Sequence, residues 1–398
     1  MSLPRPRKVL YTAIAVTLVL GLVEAAARVI LRLRPPPTLE ATRIEFGRVG
    51  TSWFDLLAPD VGEPSVGATL YLPDSTLFWR LRPEFEGDLT NVCYATHGAP
   101  ITWRLSTDAA GRRITPPSHD DPDGAGAATV LCLGDSVTFG FRVSDDETWP
   151  ARLGAALAAR GWPNARCLNL AVPGYSSYQG RRVLDQALAD TKPDIVLIAF
   201  GANDLEADAR SDARKGAANA RLPARLGRLV AGLGITRLLR GAPSAARTDP
   251  ASAAASPRVS AVEYVENIRA MVRAARAARA EPILLDLVFL AETWRPSLEQ
   301  VAREEKCRLL DGRVRLRDAL DDLLAGRRFT DERAELDAFW TTELAQYRRV
   351  YYDASFYDAL FADPIWSQLL RYLMIEPVHP NALGHQVLAE AIAEVITG

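Results

Sequence analysis

From residue 128 onward the chain alternates between short apolar runs and longer stretches with helical spacing. Residues 129–133 (Thr-Val-Leu-Cys-Leu) form a continuous apolar run that stops at Gly134, the pattern of a strand buried on both faces. Residues 149–160 place Leu153, Ala156 and Leu157 on one helical face. A second strand is predicted at 167–170, a helix at 181–190 and a third strand at 195–200, the most apolar run of this part. A helix at 262–279, a fourth strand within 282–290, a brief fifth at 308–310 and a closing helix at 381–396 complete the series. Five strands alternating with helices predict an α/β fold around a parallel sheet.

Three regions fall outside this alternation. Residues 40–120 hold aromatic and turn-rich pieces, such as Leu70-Tyr71-Leu72-Pro73 and Leu77-Phe78-Trp79-Arg80-Leu81, without sustained helical period. They predict a small β-rich extension of short strands and loops, joined to the main domain (121–398) through the Pro- and Gly-punctuated linker at 120–126. Residues 206–258 are rich in Ala, Arg, Ser and Gly and read as one insertion, helical at 226–239 and loop-like at 241–257. Residues 294–373 read as a second insertion, charged, mostly helical and studded with aromatics from Phe339 to Trp366. No internal repeat occurs.

The first 39 residues form a segment of their own. Arg5, Arg7 and Lys8 precede an uncharged run over 9–23; Glu24 and Arg28 interrupt it, and Pro35, Pro36 and Pro37 end any helix. A helix over 9–33 is about 37 Å long at 1.5 Å per residue, enough for the roughly 30 Å of a bilayer's hydrocarbon. Glu24 and Arg28, four residues apart, are spaced to neutralise each other. The pattern reads as an export signal or an uncleaved anchor, with cleavage near Val23-Glu24-Ala25 left open. The expectation is a transmembrane N-terminal helix with the bulk of the chain outside the cytoplasm.

Composition narrows the classes. Of 398 residues, 48% are hydrophobic and 24% charged, which excludes global disorder, collagen and a polytopic membrane protein. A net charge of −2 argues against a nucleic-acid partner. Four cysteines are too few for a disulfide scaffold; Cys132 and Cys167 fall in predicted strands and read as buried free thiols, while Cys93 and Cys307 carry no context. Only four histidines exist (His97, His119, His379 and His385), so a His-rich metal site is unsupported and any essential histidine is one of these.

Candidate chemistry lies where strands end. Gly134-Asp135-Ser136-Val137-Thr138-Phe139-Gly140 follows the first strand, and a serine there opens a helix whose free N–H groups favour a developing oxyanion. Alone, the tripeptide fits an ordinary N-cap equally well. Pro173-Gly174-Tyr175-Ser176-Ser177 follows the second strand, and Gly174 permits close backbone approach. Gly201-Ala202-Asn203-Asp204 follows the third, where the Asn203 amide can donate. Each of these alone also fits a turn. Glu376-Pro377-Val378-His379-Pro380-Asn381 precedes the last helix and puts His379 on a loop between two prolines. His385, inside that helix, reads as a packing or surface residue. G-x-S-x-G, G-x-x-x-x-G-K-[ST] and H-E-x-x-H are all absent, which gives no support to an α/β-hydrolase elbow, a nucleotide loop or a zincin.

The ordered set of four blocks resembles the SGNH hydrolase family, the GDSL-type esterases and lipases. The resemblance covers about residues 128–215 and 374–398 and the strands between. It implies a flavodoxin-like three-layer sandwich with strand order 2-1-3-4-5. It implies Ser136 as nucleophile, His379 as general base, and an oxyanion hole of the Ser136 N–H, the Gly174 N–H and the Asn203 side chain, with no cofactor and no metal. The family carries aspartate three residues before the histidine; this chain has Glu376, so Asp358 or Asp363 stand as further candidates for the orienting carboxylate. The implied function is a serine ester hydrolase acting on a small-molecule, glycan or lipid ester. Two alternatives are an O-acyltransferase on an envelope polysaccharide and an inactive binding module that keeps the fold. Oligomeric state is not readable.

Overall fold

The computed structural model describes residues 5–33, 70–92, 100–116, 128–208, 210–220, 256–287, 293–342, 362–375 and 378–398. Glu376, Asp358, His97, His119, Cys93, the linker at 120–126 and the expected helix at 226–239 lie outside the described residues. The chain divides into two compact units, residues 1–50 with 215–254 and residues 51–214 with 255–398.

In the smaller unit, α1 (Arg5–Leu33) is a single helix of 29 residues. Its Arg28 Nε meets Glu24 Oε1 at 2.7 Å, the expected i, i+4 pair. The expectation of a membrane span is not supported: among the described residues, no helix is long and apolar enough to cross a membrane.

The larger unit opens with two antiparallel pairs, as the 40–120 pattern predicts. Strand β1 (Tyr71–Asp74) pairs with β2 (Phe78–Leu81), and β3 (Glu86–Val92) with β4 (Pro100–Ser106). The main sheet then begins. Its strands are β5 (Thr129–Gly134), β6 (Arg166–Asn169), β7 (Ile195–Ala199), β10 (Glu281–Asp286) and β11 (Arg308–Asp311). A two-residue ribbon, β8 (Ala207–Asp208) with β9 (Ser256–Pro257), lies between β7 and β10 in sequence. The sheet is parallel, with order β11-β10-β7-β5-β6. Numbered by appearance in the sheet this is 2-1-3-4-5, the order the family resemblance implies. All five residues of β7 are buried and Val130 to Leu133 of β5 are fully so, which is why both read as unbroken apolar runs.

The helices are α2 (Ser136–Phe139), α3 (Trp149–Ala158), α4 (Ser177–Asp190), α5 (Asp212–Ala220), α6 (Ala261–Ala277), α7 (Arg295–Glu305), α8 (Gly312–Leu324), α9 (Thr330–Thr342), α10 (Pro364–Tyr372) and α11 (Ala382–Thr397). Helices α3, α11 and α8 pack together, as do α4, α6 and α7, and both sets lie on the sheet. Helix α6 shows why: Tyr264, Ile268, Met271, Val272 and Ala275 bury one stripe, and Ser260 with Glu263 closes a capping box at its start. Helix α4 begins four residues before the expected 181 because Ser176 and Gln179 form another capping box. The fourth strand, expected within 282–290, is Glu281–Asp286.

The expected insertion at 294–373 is smaller than its composition suggests. Strand β11 is an edge of the main sheet, and α7 and α8 flank it, so residues 295–324 belong to the core. Most of their charges sit on exposed or half-buried positions, with Arg313 buried in pairs with Asp286 and Asp311, while Leu298, Val301, Leu316, Leu320 and Leu323 turn inward. Likewise, the 206–258 stretch is pinned at both ends, by the β8–β9 ribbon and by the buried Arg258.

Candidate active site

The site is assembled from the carboxyl ends of β5, β6 and β7, which are neighbours in the sheet. At β5 the chain turns through Gly134. A Cβ there would sit 2.1 Å from Thr138 Oγ1 and 2.8 Å from the Ala199 carbonyl, so only glycine fits between the two strand ends. Asp135 then caps α2, its Oδ1 accepting from Val137 N at 3.0 Å. This places Ser136 at the first turn, 1% exposed.

His379 arrives from the loop between α10 and α11. Its Nε2 lies 2.7 Å from Ser136 Oγ, across 243 residues of sequence. The loop is fixed by backbone bonds: Ile375 N donates to the His379 carbonyl at 2.8 Å and Asn381 N to the Leu373 carbonyl at 3.0 Å. Asn381 Oδ1 accepts from Gly384 N, capping α11, while its Nδ2 donates to Tyr372 O. Phe141 packs on the imidazole with ring centroids 5.0 Å apart. A hydroxyl in hydrogen-bond contact with an imidazole nitrogen can hand over its proton as it attacks.

Two of the other expected residues have different duties. Asp363 caps α10 through Ile365 N and Trp366 N on an exposed helix start, so it does not orient His379. His385 is fully buried; its Nδ1 accepts from Trp149 N at 3.2 Å, and burial pushes its pKa well below the usual 6.5. It is a packing residue, one of the two alternatives expected. Cys132 and Cys167 are buried free thiols, and burial lifts the Cys167 pKa to about 12. Among the described residues, no group of three or more His, Cys, Asp or Glu is placed to hold a metal.

Gly174 lies in the second block and Asn203 in the third. Gly174 has φ of +80°, a conformation that favours glycine. Asn203 is 1% exposed, and its Nδ2 donates to the Tyr175 carbonyl at 3.1 Å, which leaves its second amide hydrogen for another acceptor.

Sequence reasoning missed the residues that hold these loops. Arg113, from the segment after β4, is entirely buried against the end of α2. It donates to the carbonyls of Phe139 (2.8 Å), Gly140 (2.5 Å) and Val143 (2.6 Å) and pairs with Asp145 at 2.9 Å. Trp103 of β4 packs edge-on to Phe139 and Phe141. Arg258, just after β9, donates to the Gly174 carbonyl at 2.9 Å and to Gln179 Oε1 at 2.9 Å, and it pairs with Asp212 and Glu206. Burial alone would lower its pKa, but those two carboxylates hold it above the ordinary value. Burial raises two carboxyls beside the site: Asp135 to about 7, and Asp204, which accepts from Ser177, to about 6. Nothing local marks these arginines in the sequence; each is recognisable only from partners far along the chain.

The model of the GDSL-like lipase/acylhydrolase family matches residues 132–387, from within β5 to within α11. The chain belongs to this family. Among curated relatives, it is 36% identical over 75 residues to an arylesterase of Vibrio mimicus, which is 19% of this chain and 37% of that one. It is 35% identical over 80 residues to esterase TesA of Pseudomonas aeruginosa, 20% of this chain and 39% of that one. The same identity over 80 residues relates it to thioesterase 1/protease 1/lysophospholipase L1 of Escherichia coli, 20% of this chain and 36% of that one. The chain thus spans less than two-fifths of the length of the curated relatives it matches. A solved esterase EstA of a Pseudoalteromonas species is similar at 16% identity and TM-score 0.34, over 67% of this chain and 96% of that one.

Proposed function

We propose that this GDSL-family chain hydrolyses a carboxylic ester through an acyl-enzyme on Ser136. The observation that carries the reading is the 2.7 Å contact between Ser136 Oγ and His379 Nε2. Ser136 Oγ attacks the carbonyl carbon as His379 takes its proton. The carbonyl oxygen becomes an oxyanion, held by the N–H groups of Ser136 and Gly174 and by the Asn203 amide. The alcohol leaves with the proton from His379, and water, deprotonated by the same imidazole, releases the acid. Glu376 is assigned the orienting role on His379. The names of the arylesterase, esterase and thioesterase relatives support ester chemistry.

The test is hydrolysis of p-nitrophenyl acetate by the full chain, wild type beside Ser136→Ala. Turnover that vanishes in the variant supports the reading; equal turnover shows that Ser136 is not the nucleophile. The chain is further proposed to act outside the cytoplasm, on the support of Arg5, Arg7 and Lys8 ahead of an uncharged run. Fractionation of cells expressing the full chain tests this, and activity confined to the cytoplasm overturns it.

A further inference from the structure

A trans peptide is planar, so the N–H of one residue and the carbonyl of the residue before it share a plane and point in opposite directions. The Gly174 N–H therefore shares its plane with the Pro173 carbonyl. That carbonyl accepts a hydrogen bond from Trp79 Nε1 at 3.2 Å, across 94 residues of sequence. The next plane contains the Gly174 carbonyl, and Arg258 Nη1 holds it at 2.9 Å. Both planes around Gly174 are thus pinned by side chains distant in sequence. The pinning matters because Gly174 has no Cβ and a φ of +80°, so sterics alone oppose rotation of its N–H only weakly.

Trp79 is itself held firmly. Its carbonyl accepts from Tyr175 OH at 2.5 Å, and its ring lies 5.7 Å from the Tyr175 ring. The neighbouring Leu77 carbonyl accepts from Gln179 Nε2 at 2.7 Å. The Arg258 guanidinium lies 5.8 Å from the indole centre. Between Leu77 and Trp79, Phe78 takes a φ of +70°, a costly conformation for a residue with a bulky side chain. It does so while stacking its ring on Tyr178 at 5.9 Å. The first residue of β2 thus carries backbone strain directly before Trp79, whose side chain bonds the Pro173 carbonyl.

We propose that Trp79 is a positioning residue of the oxyanion hole: its indole N–H locks the Pro173–Gly174 peptide so that the Gly174 N–H stays aimed at the reacting oxygen, while Arg258 locks the peptide that follows. This rests on the reading of Gly174 as an oxyanion donor. The extension over 70–92, outside the 132–387 family match, is then part of the working site.

The experiment compares the full chain as wild type, Ser136→Ala and Trp79→Phe, the last keeping a ring and losing the N–H. Three readouts are taken with p-nitrophenyl acetate: kcat, KM, and the inhibition constant of a trifluoromethyl ketone, which forms a tetrahedral oxyanion on a serine. In Trp79→Phe, kcat falls roughly tenfold, less than the 10²–10³ lost when a donor is deleted outright. KM stays within about twofold, and the inhibition constant rises by the same factor as kcat falls, because both report oxyanion stabilisation. The pH dependence of kcat/KM does not move, since His379 is untouched. Unchanged kcat and inhibition, or a change in KM alone, overturns the proposal while an inactive Ser136→Ala leaves the esterase reading standing. An active Ser136→Ala sinks that reading instead. Should Trp79→Phe fold poorly, Tyr175→Phe frees the Trp79 backbone and keeps the indole N–H. Its expected signature is the same with a loss of about threefold, and wild-type kinetics in that variant overturn the proposal equally.

Discussion

The carboxyl edge of the sheet and the segment over 70–116 meet at the same loops, yet they are built differently. At the edge, the groups proposed to react are short: a serine, a glycine N–H and an asparagine amide, each directly after a strand. In the segment, the groups are long and make no contact with a reacting atom. Arg113 spends its donors on four carbonyls and a carboxylate, and Trp79 donates to one carbonyl. The edge gets its geometry from strand order, which brings β5, β6 and β7 side by side. The segment gets its effect from polar bonds between residues far apart in sequence. Loss at the edge should therefore appear in rate, and loss in the segment first in stability.

Ser136→Ala is the largest break. It is expected to lower kcat by on the order of 10⁴–10⁶ with the melting temperature shifted by only a few degrees. Parallel thermal scans and kinetics check this, and a large stability loss with retained turnover would erase the contrast. Arg113→Met is the matching break in the segment. It leaves the carbonyls of Phe139, Gly140 and Val143 without this donor and Asp145 without its ion pair, in a buried setting. Removing one partner of such a buried pair costs about 3–5 kcal/mol, read as a shift of the urea midpoint. The folded fraction should keep kcat within about tenfold, because Arg113 touches no reacting atom.

Asn203→Ala sharpens the contrast because Asn203, at the edge, has both a proposed reacting role and a bracing one. Its amide is a proposed oxyanion donor and also bonds the Tyr175 carbonyl. The expected loss is roughly 10²–10³ in kcat, with about 1 kcal/mol of stability from the severed bond. A loss of stability with full activity would make Asn203 a brace and not a donor.

The same division explains what the sequence made legible. The parallel sheet follows from apolar runs such as 195–199, which are short-range signals, whereas its strand order was implied by the family resemblance. The four blocks were legible because three follow strands and the fourth directly precedes the closing helix, and Ser136 and His379 do meet. Residues 295–324 were misread as insertion because composition averages over a helix, while Leu316, Leu320 and Leu323 bury only one side of it. Arg113 and Arg258 were invisible because a guanidinium's partners are set by tertiary contact and leave no local pattern.

Asp135 gives the finest test, since charge is handled differently in the two regions. Arg113 with Asp145 and Arg258 with Asp212 are buried as pairs. Asp135 is buried at the edge without a cation; it only caps α2, and burial, with Asp204 and Glu206 nearby, raises its pKa from 3.8 to about 7. A carboxyl raised in the fold binds its proton more tightly there than in the unfolded chain. Its contribution to stability is therefore complete below about pH 3.8 and is lost as pH rises to about 7. Asp135→Asn keeps an oxygen for the Val137 N–H and mimics the protonated form. The variant should match wild type near pH 4 and gain steadily above it, levelling off near pH 8 at on the order of 4 kcal/mol. Asp204 titrates in both proteins, with its pKa raised to about 6, so the difference between the two stability curves reports Asp135 together with its coupling to Asp204. A difference that stays flat from pH 4 to pH 8 would mean that the edge, like the segment, neutralises its buried charge, and the contrast between the two regions would then be one of hydrogen bonding alone.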